Sequence, residues 1–207
     1  ELGATFAHRD GDPEGLDLGL EGGHSRRRIV HSKDRTGQEI ESTLLAAVAK
    51  HPEITVLEQH LALDLWVGAA EVGRRCYGAS FLDQETGATG LVRADHTMLS
   101  TGGCGKVYRY TTNPDIATAD GVAMAARAGC SLGNMEMVQF HPTCLHHSEA
   151  KSFLISEAVR GEGAVLRNLA GDEFMEGLHP LGSLAPRDVV AREIDRETKR
   201  RGDKCVF

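Results

Sequence analysis

Three polar clusters in the second half of the chain carry residue types that can hold an anion. They are Gln139-Phe-His141-Pro-Thr143, Ser156-Glu157-Ala-Val-Arg160-Gly-Glu-Gly163 and Leu184-Ala-Pro-Arg187-Asp188, each in otherwise apolar surroundings. Glu157 and Arg160 are three residues apart, so on a helix they share a face and can pair. Pro186 suits a first helical turn and puts Arg187 at a helix N-terminus. That end carries partial positive charge, so Arg187 and the backbone amides together suit an anionic ligand. Each feature also has a plainer reading taken alone. Glu157–Arg160 is then a surface ion pair, His141 a structural histidine, and Arg187-Asp188 an ordinary helix start.

Other chemistries find less support. His141, His146 and His147 have no carboxylate partner at a familiar offset, so no metal site is expected. There is no GxSxG elbow, and Ser156-Glu157 lacks an obvious base, which argues against a hydrolase triad. The loop Glu21-Gly-Gly-His-Ser25 has a Gly-Gly turn whose backbone can approach a ligand closely.

The elements that position these groups follow from pattern. Residues 1–30 are Gly-rich and read as loop. A helix begins at Thr36, with Leu44, Leu45, Val48 and Ala49 at helical spacing and Pro52 as its stop. Residues 54–67 read as one or two strands, and the alternation that follows, turning at Glu85-Thr-Gly87, predicts a hairpin or three-stranded meander. Thr101-Gly-Gly-Cys-Gly105 closes that sheet, and Asp120–Cys130 reads as a small-residue helix. Beyond it, MEMVQFHPT and GAVLRN read as short strands, and FLISEAVR and Pro186–Arg200 as helices. The charges of AREIDRETKR alternate as on a solvated face. The fold class expected is mixed α/β. The change of texture after the small-residue helix places a domain boundary near residues 131–135, between a part with a β-meander and an α+β part.

Composition sets outer bounds. The 207 residues are 41% hydrophobic and 26% charged, as in ordinary globular proteins. A net charge of −7 and the shortness of the run Arg26-Arg27-Arg28 argue against a nucleic-acid partner. No apolar run reaches the roughly 18 residues of a membrane span. The polar start has no signal-peptide pattern, which makes the cytoplasm the expected location. Five widely spaced cysteines without a CxxC pair fit reduced thiols. The absence of an initiator Met and the strand-like end Lys204-Cys-Val-Phe207 lead us to expect an internal piece of a longer chain.

The order QFHPT, SEAVRGEG, LAPRDVVAR resembles the capping domain of the succinate dehydrogenase/fumarate reductase flavoprotein family. STGG at Ser100–Gly103 and the run from Tyr108 to Gly129 resemble the second half of that family's FAD-binding domain. The likeness covers nearly the whole chain, and it implies part of a Rossmann-like FAD-binding domain over residues 1–132, lacking its N-terminal GxGxxG unit, and an α+β capping domain over 133–207, truncated at its C-terminal end. It implies FAD as cofactor, held at Leu61 and Ala62 (backbone, adenine), Thr101, Gly102, Gly103, Asp120 and Gly121. It also implies substrate carboxylates held by His141, Thr143, Ser156 and Arg187. Arg187 takes the place of the family's proton-transferring arginine, with Glu157 and Arg160 as its relay. Where the family commonly has Thr, this chain has Ser156, which keeps the hydroxyl but frees its rotor.

Within the family, EGGHSRRRIVH followed by DRTG looks most like the aspartate-oxidising members. Glu21 is then the group that pairs with the α-ammonium of L-aspartate through a charge-assisted hydrogen bond. The resemblance implies FAD-dependent oxidation of L-aspartate to iminoaspartate, with fumarate or oxygen as acceptor. It also implies hand-over of the product to quinolinate synthase, toward NAD. The alternatives are a fumarate reductase or succinate dehydrogenase type of flavoprotein and a non-catalytic structural piece. The phosphate-cradling GxGxxG is absent from these residues, so the segment alone is expected to bind FAD weakly and to be inactive.

Overall fold

The computed structural model describes residues 2–33, 35–69, 73–150 and 152–207. Asp34, the first residue of the DRTG motif, lies outside the described residues. The chain divides into two compact units, residues 55–138 and residues 1–54 together with 139–207. This grouping differs from the expected split at 132/133. The N-terminal 54 residues gather with the last third of the chain rather than with the middle.

In the discontinuous unit, the first 30 residues are not bare loop. Two antiparallel strand pairs form, β1 (His8–Arg9) with β2 (Asp12–Leu16), and β3 (Leu18–Gly19) with β4 (Ile29–Val30). Short strands with few apolar residues leave little periodicity to read. Helix α1 (Thr36–Val48) begins and ends where the apolar spacing and Pro52 predict. Helix α3 (Glu157–Gly161) is shorter than the expected FLISEAVR helix, because Ser156 caps it by accepting a hydrogen bond from the Ala158 amide. Helix α4 (Arg187–Arg201) starts after Pro186 and ends at Gly202, whose φ is 74°.

Neither MEMVQFHPT nor GAVLRN forms a strand. In place of the first there is one bridge, Cys144 with Leu154, flanked by Leu145 N–H to Phe153 O (2.8 Å) and Ile155 N–H to Thr143 O (3.2 Å). This pairing sets the QFHPT segment beside the residues that precede α3. The core of the unit is Leu166, Met175, Ala185 and Val190, with Phe174, Val189, Ile194 and Val206 packed against it. Val190 and Ile194 lie one turn apart on α4, so the apolar stripe of that helix fixes its rotation and hence the direction of Arg187 at its start. The charged remainder of α4 is mostly solvated, as read from sequence. Glu197 is the exception: it is buried and accepts hydrogen bonds from Asn168 (3.0 Å) and Arg200 (2.7 Å). The hydrogen bond from Arg200, and then that from Asn168, hold its carboxyl below the usual range.

The other unit is built on the expected meander. Strands β5 (His60–Ala69), β6 (Arg74–Asp83) and β7 (Thr89–Arg93) form an antiparallel sheet in the order β5-β6-β7. The β6–β7 turn is tied by Asp83, whose carboxylate accepts from the amides of Glu85 (2.9 Å) and Thr86 (3.3 Å). Helix α2 (Asp120–Arg127) follows. Arg127 bonds Asp64 of β5 at 2.7 Å, which ties the helix to the sheet. The class is therefore mixed helix and sheet. Every strand pairing among the described residues is antiparallel, so the parallel βαβ unit of a Rossmann-like fold is not among them.

Candidate functional site: a buried carboxylate between two arginines

Glu157 and Arg160, one helical turn apart on α3, are each 4% exposed. Arg160 donates to Glu157 Oε1 at 2.9 Å. The other oxygen, Oε2, accepts from Arg187 Nε at 2.8 Å. One carboxylate thus joins two guanidiniums that lie 27 positions apart in sequence. Arg160 also donates to the Ser183 carbonyl (2.8 Å), which steadies the turn leading into α4. Burying charges is costly unless they are paired and hydrogen-bonded, and here each partner supplies that compensation. The Arg160 Nε, also buried, has no partner among the described atoms.

Arg187 is the exposed end of this chain of charges, with 34% of its side chain accessible. Its guanidinium donates to the Gln139 amide oxygen at 3.2 Å and stands 3.8 Å from Glu21 Oε2. Glu21 is therefore close enough to feel that charge but too far for a hydrogen bond. The loop carrying it is pinned by Gly23 N–H to Leu184 O (2.8 Å). Gly161 admits the loop: a Cβ there would lie 1.9 Å from the Leu20 carbonyl oxygen.

His141 is half-buried beside this cluster. Its Nδ1 is 3.0 Å from Thr143 O and 3.3 Å from Thr143 N. It donates to the carbonyl when protonated and accepts from the amide when bare. Burial holds the imidazole pKa below its ordinary value, with Arg187 and Arg160 pushing the same way. The hydrogen bond with Thr143 and the charge of Glu157 oppose the shift. Thr143 spends its hydroxyl proton on Ile155 O (2.9 Å), so it offers no donor to a ligand while that bond stands. Ser156 Oγ accepts from its cap partner at 3.3 Å and donates to no group among the described residues, which leaves its hydroxyl proton available there.

The expected substrate residues Glu21, His141, Thr143, Ser156, Glu157, Arg160 and Arg187 all fall within the discontinuous unit. Charge couples His141, Glu157, Arg160 and Arg187, and Glu21 joins them at Arg187. Thr143 and Ser156 are linked to this group through the backbone around Ile155. Gln139 stands in the first polar cluster but is not among the residues that the resemblance assigns to the substrate. Its adjacency to His141 was the available signal.

The expected cofactor residues fall in the other unit. The Thr101-Gly-Gly loop lies against the start of α2, with Ala119 N–H to Gly103 O at 3.2 Å. A Cβ on Gly121 would come within 2.0 Å of Thr101 Oγ1, so that approach requires glycine. Gly102 and Gly103 have open space where a side chain would stand. No side chain caps α2. Open glycines beside free helix amides are what the polar part of a nucleotide needs, so these residues fit FAD. Leu61 and Ala62 lie on β5, which among the described residues is an edge strand paired to β6, and the neighbouring Leu63 carbonyl accepts from Arg127 at 3.2 Å. Among the described residues, no three His, Cys, Asp or Glu side chains are grouped to hold a metal ion. No described helix is long and apolar enough to cross a membrane.

A sequence model described as the FAD binding domain matches residues 1–207. The chain belongs to the FAD-binding domain family. Within this family it is 54% identical over 195 residues to L-aspartate oxidase 1 of Ralstonia nicotianae, covering 93% of this chain and 37% of that protein. It is 52% identical over 203 residues to L-aspartate oxidase of Pseudomonas aeruginosa, covering 97% and 37%. Among solved structures it resembles a quinol-fumarate reductase with menaquinol molecules, at TM-score 0.85 and 31% identity, covering 98% of this chain and 35% of that one. The chain thus spans just over a third of the length of the relatives it matches. Its identity to these L-aspartate oxidases is higher than to this quinol-fumarate reductase.

Proposed function

We propose that the protein carrying this segment oxidises L-aspartate to iminoaspartate with FAD as cofactor. The observation that carries this reading is the shared guanidinium of Arg187. It is held from behind by buried Glu157 and flanked at 3.8 Å by a second carboxylate, Glu21. A dicarboxylate needs cations, and a free acid group beside them is repulsive unless the substrate also brings a positive charge. Aspartate brings its α-ammonium, and succinate does not. The identity to the two L-aspartate oxidases supports the same reading.

FAD, when bound, would supply the acceptor for the hydrogen and two electrons at Cα, while the substrate ammonium gives up one proton, so that a protonated imine is left. The residues of this chain bind and orient. Arginine keeps its proton in proteins, so Arg187 serves as an electrostatic clamp on a substrate carboxylate. Glu157 and Arg160, the relay that the family resemblance implies, act in this reading by fixing the direction of the clamp, with Glu157 the one member that can exchange a proton. His141 and Ser156 offer donors to carboxylate oxygens. Thr143 acts through its backbone on His141. Thr101, Gly102, Gly103, Asp120 and Gly121, with the backbone of Leu61 and Ala62, form the part of the cofactor site that this segment supplies. In the same reading, residues 1–132 belong to the FAD-binding domain and 133–207 to a capping domain. The cytoplasm is the proposed location, on the strength of five free thiols. The product passes to an imine-consuming step such as that of quinolinate synthase.

The test is Glu21→Gln in the full-length protein. The expected result is a fall of about tenfold or more in kcat/KM for L-aspartate, the size of one lost charge-assisted hydrogen bond, with succinate turnover unchanged or improved. Equal losses on both substrates would contradict the assignment of Glu21.

A further inference from the structure

We infer that Gly22 is a positioning residue for the buried carboxylate, because its missing side chain is the space that Glu157 occupies. This deepens the reading above and rests on the same site. A Cβ built on Gly22 lies 2.5 Å from Glu157 Oε1, 3.1 Å from Glu157 Cδ and 3.1 Å from the Ala185 carbonyl oxygen. Ordinary contact begins at 3.4 Å. A methyl group there therefore demands that Oε1 retreat by about 0.9 Å, or that the loop lift away.

Neither route is cheap. Glu157 is 4% exposed, and its two oxygens are already committed, Oε1 to Arg160 and Oε2 to Arg187. The loop is held on the far side of Gly22 by Gly23 N–H to Leu184 O. Unlike its neighbour, Gly22 does not adopt a left-handed backbone; Gly23 has φ +76°. An alanine at 22 meets no left-handed backbone strain, so glycine is required there by space, first over the Glu157 carboxylate and second beside the Ala185 carbonyl.

The consequence reaches the clamp. The same two peptide units bring Glu21 to 3.8 Å from Arg187 and cover Glu157, which holds Arg187 at 2.8 Å. Gly22 thus sets how one guanidinium is shared between an inner and an outer carboxylate. Lifting the loop withdraws Glu21, and pushing Glu157 turns Arg187. Both alter the charge that a substrate carboxylate meets.

The experiment uses the full-length protein with four variants: Gly22→Ala, Gly23→Ala, Glu157→Asp and the double variant Gly22→Ala/Glu157→Asp. Each rate is taken relative to the wild type on whichever dicarboxylate the wild type turns over best. A failure of the aspartate reading therefore leaves the Gly22 comparison intact. Gly22→Ala is expected to lower kcat by about 10- to 100-fold, since a displacement near 1 Å costs up to about 100-fold. It is also expected to shift the pH profile of kcat while flavin content stays the same. Gly23→Ala strains the same loop, but its Cβ meets nothing nearer than Pro186 Cγ at 3.7 Å. It is expected to lower thermal stability and leave the pH profile in place. Glu157→Asp shortens the acid by one methylene, so Gly22→Ala is expected to cost at least fivefold less in that background, a coupling that a loop defect alone does not produce. A wild-type pH profile in Gly22→Ala, or an equal cost of Gly22→Ala in both backgrounds, overturns the inference. So does a double variant that folds as poorly as a non-folding single one.

Discussion

Replacing Glu157 by glutamine keeps the side chain's shape and removes its charge, which separates the ionic role of this residue from its packing. In the folded protein Oε1 accepts from Arg160 at 2.9 Å and Oε2 accepts from Arg187 at 2.8 Å. Glutamine keeps one acceptor and sets an NH2 group against the other guanidinium, donor against donor. Breaking a buried ion pair by removing one partner costs ~3–5 kcal/mol. Arg160 is 4% exposed and feels this in full. Arg187, with a 34% accessible side chain, keeps part of its hydration, and one hydrogen bond survives. The lower end, ~3 kcal/mol of unfolding free energy, is therefore expected. Whichever guanidinium the new NH2 group faces, Arg187 loses the charge of its main anchor, so a kcat loss of at least about 100-fold follows, or ~2.7 kcal/mol of barrier at 1.36 kcal/mol per decade. Steady-state oxidation of L-aspartate by the full-length variant, with urea unfolding and a flavin spectrum on the same sample, measures both effects. A kcat within threefold of the wild type at normal flavin content would refute the role given to this carboxylate.

Two further perturbations test the supporting structure. Gly161→Ala drives a methyl group into the Leu20 carbonyl, with 1.9 Å between the atoms before relaxation. It is expected to destabilise by ~1–3 kcal/mol in urea unfolding, as overpacking does, whereas an unchanged midpoint would show that the Leu20 loop does not sit on α3. His141 has its folded-state pKa held down by burial first, so the unfolded chain binds a proton at higher pH than the folded one. Its contribution to stability is therefore fully present above its ordinary value of 6.5 and is lost as pH falls from there through the folded-state value. Urea midpoints between pH 7.5 and 5 are expected to fall more steeply for the wild type than for His141→Asn, and parallel curves would count against the shift.

How far the sequence carried this account depends on the kind of signal. Helix α4 was readable from Pro186 to its charged end because apolar spacing and a proline agree there. The meander was readable because strand alternation and the Asp83–Gly87 turn agree. The strands at Leu18–Gly19 and Ile29–Val30 were not, since two-residue pairs have no period. MEMVQFHPT misled, because its apolar residues pattern like a strand while its structure is a turn followed by a single bridge. At the site, the pairing of Glu157 with Arg160 follows from a helical spacing of three. The bond from Arg187 to Glu157 spans 30 residues, and nothing in the spacing encodes it; the resemblance pointed to it. The contact of Gly22 with Glu157 went unread for a different reason. The Gly-Gly pair announced a close approach, but residue types alone do not say to what.

In the function proposed above, the protein carrying this segment takes electrons from L-aspartate into FAD. Anaerobic mixing of the full-length protein with L-aspartate, followed at the flavin's visible absorbance, tests it most directly. Full bleaching by L-aspartate is expected, at a rate at least about tenfold above that with succinate at equal concentration, with the bleaching lost in Arg187→Ala. A flavin that stays oxidised with L-aspartate, or that succinate bleaches faster, would contradict it.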